Sequence, residues 1–232
     1  MLDFFFDLET ITDQRPGALQ EHIAMVRPPG QYKKPESIAK WMEENAEVEG
    51  VESWKKTGLD GLTGEIISIS WAFGHDAVEG LVRSPDDAEE VLLEGFFHAM
   101  GQKIRYGEGE HSLFQWIGHN VLGFDLPFLW KRCVILGIKP PCTIPKESRH
   151  GKGRVYDTMV GWMGSYPRQY IKQDTLVAAM GIETEADDTV ADMDGSMVWD
   201  MVQAGRLDEV LKYNKLDVEK VIQMYRRMTW TT

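Results

Sequence analysis

Apolar and polar positions along the chain follow two periods, and the switches between them mark out the elements. Residues 2–10, LDFFFDLET, place three phenylalanines in a row. The segment reads as a strand that is apolar on both faces and central in a covered sheet. Residues 64–74, GEIISISWAFG, are rich in β-branched side chains and predict the next strand, with 77–83 as its hairpin partner. Ser84 and Pro85 open a helix to about Ile104, in which Val91, Leu92, Phe96 and Met100 recur at helical spacing. HSLFQWIGHN, 111–120, predicts a strand ending in the turn VLGFDLP, and a helix follows over 127–136. Residues 139–154 form a loop crowded with proline and basic residues. A short helix at 175–180, an acidic connection at 183–195 and helices at about 196–204 and 207–228 complete the chain. Between the first two strands, a proline- and charge-rich stretch at 28–35 leads into a helix at 36–45, with Ile38, Ala39, Trp41 and Met42 on one side. The pattern predicts one mixed α/β domain over 1–232 with a helical insertion at about 28–60.

Composition narrows the function. With 25 basic against 37 acidic residues the formal charge is −12, which excludes a generic polyanion binder. Nucleic acid would have to be engaged at a local basic patch or through bound cations. No basic segment precedes the short N-terminal apolar run, so no signal peptide is expected, and no window approaches the roughly 18 apolar residues of a membrane span. Cys133 and Cys142 are too few for a disulfide framework and lack CxxC spacing, so a reduced, cytoplasmic protein without membrane contact is expected.

The chemistry lies in the acids. Side chains on a strand alternate, so Asp7 and Glu9 point the same way, roughly 6.5–7 Å apart. Carboxylates this close in a partly dry place repel, and each must protonate or find a counter-charge. A hard divalent cation, Mg²⁺ or Mn²⁺, answers both needs; the alternative is a strand that ends at Asp7 and leaves both acids in solvent. Asp125, in GHNVLGFDLPFL, is placed as a helix N-cap ahead of Pro127. It also keeps company with His119, Asn120, Phe124 and Phe128, donors and aromatic faces suited to gripping a nucleotide. Tyr213 and Asp217, four apart in KYNKLDVEKV, share one helix face, a stripe that also holds Val210, Asn214, Val221, Met224 and Met228. An acid within an apolar stripe needs a partner, either a cation or a nearby lysine such as Lys215.

Taken together, D-x-E on a first strand, N-x-x-x-F-D opening a helix and Y-x-x-x-D on a late helix resemble the three motifs of the DEDD superfamily of 3′–5′ exonucleases. The tyrosine is that of the DEDDy branch, which includes the proofreading domains of family A and family B DNA polymerases. The chain is similar to the stand-alone, family-B-polymerase-like predicted exonucleases of phages and bacteria, also through TGEIISISWAFG and DGSMVWDMVQAGRLDEVLKYNKLDVEKV. The resemblance runs from Leu2 to about Met228. It implies a ribonuclease-H-like α/β fold, with a mixed sheet of about five strands flanked by helices. It implies that Asp7, Glu9, Asp125 and Asp217 bind two divalent ions, Mg²⁺ or Mn²⁺, and that Tyr213 orients the attacking water. Thr10, Asn120 and Phe124 fall where the family touches the terminal nucleotide. The implied substrate is the 3′ end of single-stranded DNA, or RNA, cut to nucleoside 5′-monophosphates, with replication or repair proteins as partners. The same fold would also suit a catalytically silent nucleic-acid-binding or polymerase-accessory module, or a structure-specific endonuclease. The 28–59 stretch is longer than in the compact proofreading domains.

Other signals weigh less. KESRHGKGR, 146–154, offers Arg149, Lys152 and Arg154 as a phosphate-binding loop, or simply as a solvated one. DMDG, 192–195, lacks the closing glutamate of a calcium loop and reads as a turn with Asp194 near a helix start. Asp157 is expected to start a helix, with a supporting role near the metals as the alternative, and Trp162 with Tyr166 is a candidate stacking pair.

Overall fold

A computed structural model describes residues 1–106, 114–145, 154–164, 170–183, 190 and 193–231. β1 (Leu2–Ile11) occupies the middle of a five-stranded sheet with β2 (Glu65–Phe73), β3 (Glu79–Val82), β4 (Phe114–Gly118) and β5 (Val155–Asp157), in the order β3-β2-β1-β4-β5. β1 pairs antiparallel with β2, and β2 with β3, whereas β1–β4 and β4–β5 are parallel. The helices are α1 (Ala18–Met25), α2 (Pro35–Lys55), α3 (Glu89–Tyr106), α4 (Asp125–Leu136), α5 (Thr158–Met163), α6 (Gln173–Ala179), α7 (Val198–Gln203) and α8 (Leu207–Thr229).

The run of phenylalanines explains the layers. Alternation sends Phe4, Phe6 and Leu8 to one face, where they pack with Leu93 and Phe96 of α3 and Leu126 and Leu129 of α4. Phe5 goes to the other face, against Val218, Val221 and Tyr225 of α8 and Leu176 of α6. Ile11 packs there with α7 and the start of α8, through Met201, Val202 and Val210. A strand buried on both faces can be apolar throughout, and beyond Asp3 at its start the acids that interrupt it are Asp7 and Glu9, towards its carboxyl end.

Two differences from the sequence expectations concern the first third of the chain. α2 runs through Lys55, well past residue 45, and α1 precedes it. Only Ala18 of α1 is buried, so no apolar stripe announces that helix. The two helices approach closely where Gly50 meets Ile23: a Cβ at Gly50 would stand 2.6 Å from the Ile23 Cα. The end of α2 is pinned to the end of β1, with Trp54 Nε1 donating to Asp13 O (2.9 Å) and the Asp13 N–H donating to Thr57 Oγ1 (2.8 Å). Among the described residues no helix is long and apolar enough to cross a membrane. Both cysteines are free thiols, and burial pushes Cys133 up to about 12.

Candidate active site

β4 stops at Gly118 while β1 continues, which leaves the far part of one β1 edge without a strand partner. Asp125 fills that gap. It is the first residue of α4, yet no side chain caps the helix; its Oδ1 instead accepts the Leu8 N–H at 3.2 Å. The N-cap expectation for Asp125 is thereby corrected: the unpaired strand N–H captures the carboxylate, and Phe124 takes the cap position.

Asp7 and Glu9 lie on the α8 side of β1, opposite Ser70 and Ser68 of β2, and a bulge follows Glu9. α8 brings Tyr213 and Asp217 against them. Ligand oxygens of Asp7, Glu9 and Asp217 all lie within 4.8 Å of one another. Burial, then the mutual repulsion of the acids, pushes Asp7 and Glu9 well above the usual carboxylate range. Burial raises Asp125 to about 7 and also raises Asp217, although Lys220 and Tyr213 pull Asp217 back down. The Tyr213 hydroxyl, buried beside Glu9, Asp217 and Asp7, is driven far above a normal phenol and hydrogen-bonds Asp217. It is a held donor, not a base. The cluster opens on a pocket of about 480 Å³, within the ~300–1,000 Å³ typical of small-molecule sites.

The donor set suits a hard divalent cation. It is all carboxylate oxygen, the acids repel without a counter-charge, and His119 has neither ring nitrogen to offer. His119 Nδ1 meets Thr158 Oγ1 at 2.9 Å and Nε2 meets Ile171 O at 2.8 Å, while burial lowers its pKa. It latches the segment before α6 to the end of β4, and in that bonded state it has no ring nitrogen left for a nucleotide.

The remaining expected binding residues divide. Thr10, Asn120 and Phe124 line the pocket, Thr10 with its hydroxyl donating to Gly58 O at 2.6 Å. Phe128 does not: it is buried beneath Phe124, ring centroids 5.5 Å apart, because one helical turn carries it into the core. Arg154 is exposed at the start of β5, at the opposite end of the parallel strands from the acids. Its side chain is therefore not at the pocket, while Arg149 and Lys152 lie outside the described residues. Trp162 is exposed on α5 and does not line the pocket, and Tyr166 lies outside the described residues. Asp194 accepts the Ser196 N–H at 2.9 Å at the start of a one-turn helix, as expected of a turn.

Three further residues support the site, of which the sequence reading singles out only Asp157. Asn214, fully buried, donates to Asp7 Oδ2 at 2.7 Å while its Oδ1 accepts from Ser68 Oγ at 2.9 Å. The signal was there: an asparagine on an apolar stripe must find partners. Asp157 caps α5, as predicted, but also accepts the N–H groups of Asn120 and Leu122, both at 3.0 Å, and so fixes the turn that delivers Asp125. Lys220 is 7% exposed and meets Asp217 Oδ1 at 2.9 Å, so the lysine partner is Lys220, not Lys215.

A mixed five-stranded sheet with helices on both faces, carrying clustered carboxylates at the end of its central strand, defines an α/β domain of the ribonuclease-H-like kind. The chain belongs to the family of predicted 3′–5′ exonucleases related to the exonuclease domain of PolB, which matches residues 62–232. Asp125, Tyr213 and Asp217 fall inside that match; Asp7 and Glu9 precede it and join the site through the geometry of β1. The fold is similar to that of the family B DNA polymerase from the hyperthermophilic archaeon Pyrobaculum calidifontis, with a TM-score of 0.56 and 14% identity. That likeness covers 99% of this chain and 24% of the polymerase, so the chain spans about a quarter of that protein's length. No curated protein matches.

Proposed function

We propose that this protein is a metal-dependent 3′–5′ exonuclease that shortens single-stranded DNA to nucleoside 5′-monophosphates. One observation carries the proposal: Asp7, Glu9 and Asp217, from strand and helix ends of the sequence, bring ligand oxygens within 4.8 Å of one another beside the Tyr213 hydroxyl. Asp7, Glu9 and Asp217, with Asp125 as the fourth acid, would hold two divalent ions, Mg²⁺ or Mn²⁺. Bound there, such ions lower the pKa of a coordinated water and stabilise a leaving 3′-oxygen. Asn214 holds Asp7 from behind, and the Leu8 N–H holds Asp125, so both carboxylates are aimed before substrate arrives. Tyr213 keeps its proton directed at Asp217, and its oxygen accepts a hydrogen bond from the attacking water and so orients it. Thr10, Asn120 and Phe124 line the space for the terminal nucleotide, with the Phe124 ring available for base stacking. DNA is preferred over RNA because the family is related to a DNA polymerase domain.

The test is a 5′-labelled single strand incubated with Mg²⁺ or Mn²⁺, with and without a blocked 3′ end. A ladder that requires the free 3′ end is expected, and Asp7→Ala should abolish it. Internal cuts would assign an endonuclease instead, and binding without cutting a silent module. An Asp7→Ala rate within about tenfold of wild type, roughly 1.4 kcal/mol of barrier, removes Asp7 from the mechanism.

A further inference from the structure

Lys220 is a buried ammonium that the proposed chemistry does not use. It sits on α8 one turn beyond Asp217 and is 7% exposed. Its Nζ lies 2.9 Å from Asp217 Oδ1, 2.7 Å from Asp174 Oδ1 on α6, and 5.9 Å from the centroid of the Tyr213 ring. Among the described residues it is the one cation in hydrogen-bonded contact with any of the four acids. Its charge also acts on Glu9, the acid facing Asp217 across the cluster. A lysine paired with an aspartate three residues away on a wet helix face contributes little. Buried, the same pair becomes strongly interdependent, and losing one partner strands the other.

Two consequences follow from its position. Asp217 is fixed through one oxygen by Lys220, and the carboxylate is further held by the Tyr213 hydroxyl, so its orientation is set without metal. The ammonium also sits where it repels an incoming divalent ion. We propose that Lys220 is a positioning residue of the metal centre, holding Asp217 in place and supplying a fixed positive charge that keeps the acids together before metal binds and weakens the metal's grip afterwards. The proposal rests on the exonuclease reading of the same site and adds a residue which that reading leaves without a role.

The distinguishing signature is a split between affinity and rate. A lysine that merely tied α6 to α8 would, when removed, loosen the site and weaken metal binding and cleavage together. A positioning charge gives the opposite sign for affinity. Lys220→Met should bind Mn²⁺ about tenfold more tightly, about 1.4 kcal/mol, by calorimetry on metal-free protein. It should also cleave at least about tenfold more slowly at saturating Mn²⁺, with the KM for DNA little changed. Lys220→Arg, which keeps the charge, should restore both towards wild type. Should Lys220→Met not fold, Lys220→Gln keeps the hydrogen bonds without the charge and should show the same tightening. Unchanged or weaker Mn²⁺ binding in the uncharged variants overturns the proposal, as does failure of both to fold even with Mn²⁺. A wild type that binds no Mn²⁺ instead takes down the metal-site reading on which the proposal rests.

Discussion

An aspartate at the first position of a helix ordinarily serves that helix, but Asp125 serves a strand, and its burial there outweighs the Leu8 N–H bond in setting its chemistry. Buried among other acids, it holds its proton to about pH 7, and Asp7 and Glu9 are shifted the same way. In the metal-free protein the folded state therefore binds more protons than the unfolded chain between the ordinary carboxylate range and about pH 7. Their stabilising contribution is fully present below the unfolded values and is lost as pH rises through the folded ones. The melting temperature of metal-free protein should fall between about pH 5 and pH 8, and saturating Mg²⁺ should remove the fall. A flat profile in scanning calorimetry contradicts the assignment. Tyr213→Phe should leave the Mn²⁺ dissociation constant near wild type and cut kcat about 10²-fold, the scale of a water displaced by ~1 Å. An equal loss of metal affinity would make the tyrosine a structural residue. The four acids and Tyr213 could be named from the sequence because their three motifs together resemble those of the DEDD exonucleases, whereas each motif alone left an ordinary structural alternative open. The roles of Asn214 and Lys220 were not legible, because each depends on which neighbour it meets across the fold; Asp157 was legible as a helix start, but not its hold on the turn before Asp125.

At the scale of elements, the sequence period located β3, α6 and α7 as well as the longer pieces, but it stopped α2 ten residues short and gave no sign of α1 or β5. β2, α3 and α8 each present an apolar face of several residues, and their predicted spans hold to within a few positions. β5 is three residues long and is set by pairing with β4, a non-local contact that no local pattern announces. The start of α3 shifts from Ser84 to Glu89, since Arg83 binds the carbonyls of Ser84, Pro85 and Asp87 and holds that stretch as a loop. Glu89 then joins α3 to α4 through a buried ion pair, Arg132 Nη2 to Glu89 Oε2 at 2.6 Å, while its Oε1 accepts the Ile66 N–H at 2.8 Å. This pair holds the helix that presents Asp125. Arg132→Met would strand the buried Glu89 charge and should cost about 3–5 kcal/mol in urea unfolding. A loss below about 1 kcal/mol would show that the pair is replaceable by apolar contact.

For the whole molecule, the charge of −12 and the expected substrate stand in tension, and the acid cluster resolves it. A polyanion approaching an acidic protein gains little from non-specific attraction, so binding should depend on divalent ions gathered at the site. Chelation with EDTA should abolish binding of a single strand in fluorescence anisotropy, and Asp217→Asn should weaken it even with metal present; binding that survives EDTA unchanged would place the interface elsewhere. The segment from α1 to Leu59 ends beside this site, since Thr57 and Gly58 bind the backbone and side chain around Thr10. The most direct measurement of all is anomalous scattering from crystals grown with Mn²⁺. Peaks among the carboxylates of Asp7, Glu9 and Asp217 are predicted; Mn²⁺ ordered only elsewhere at saturating concentration would contradict the account.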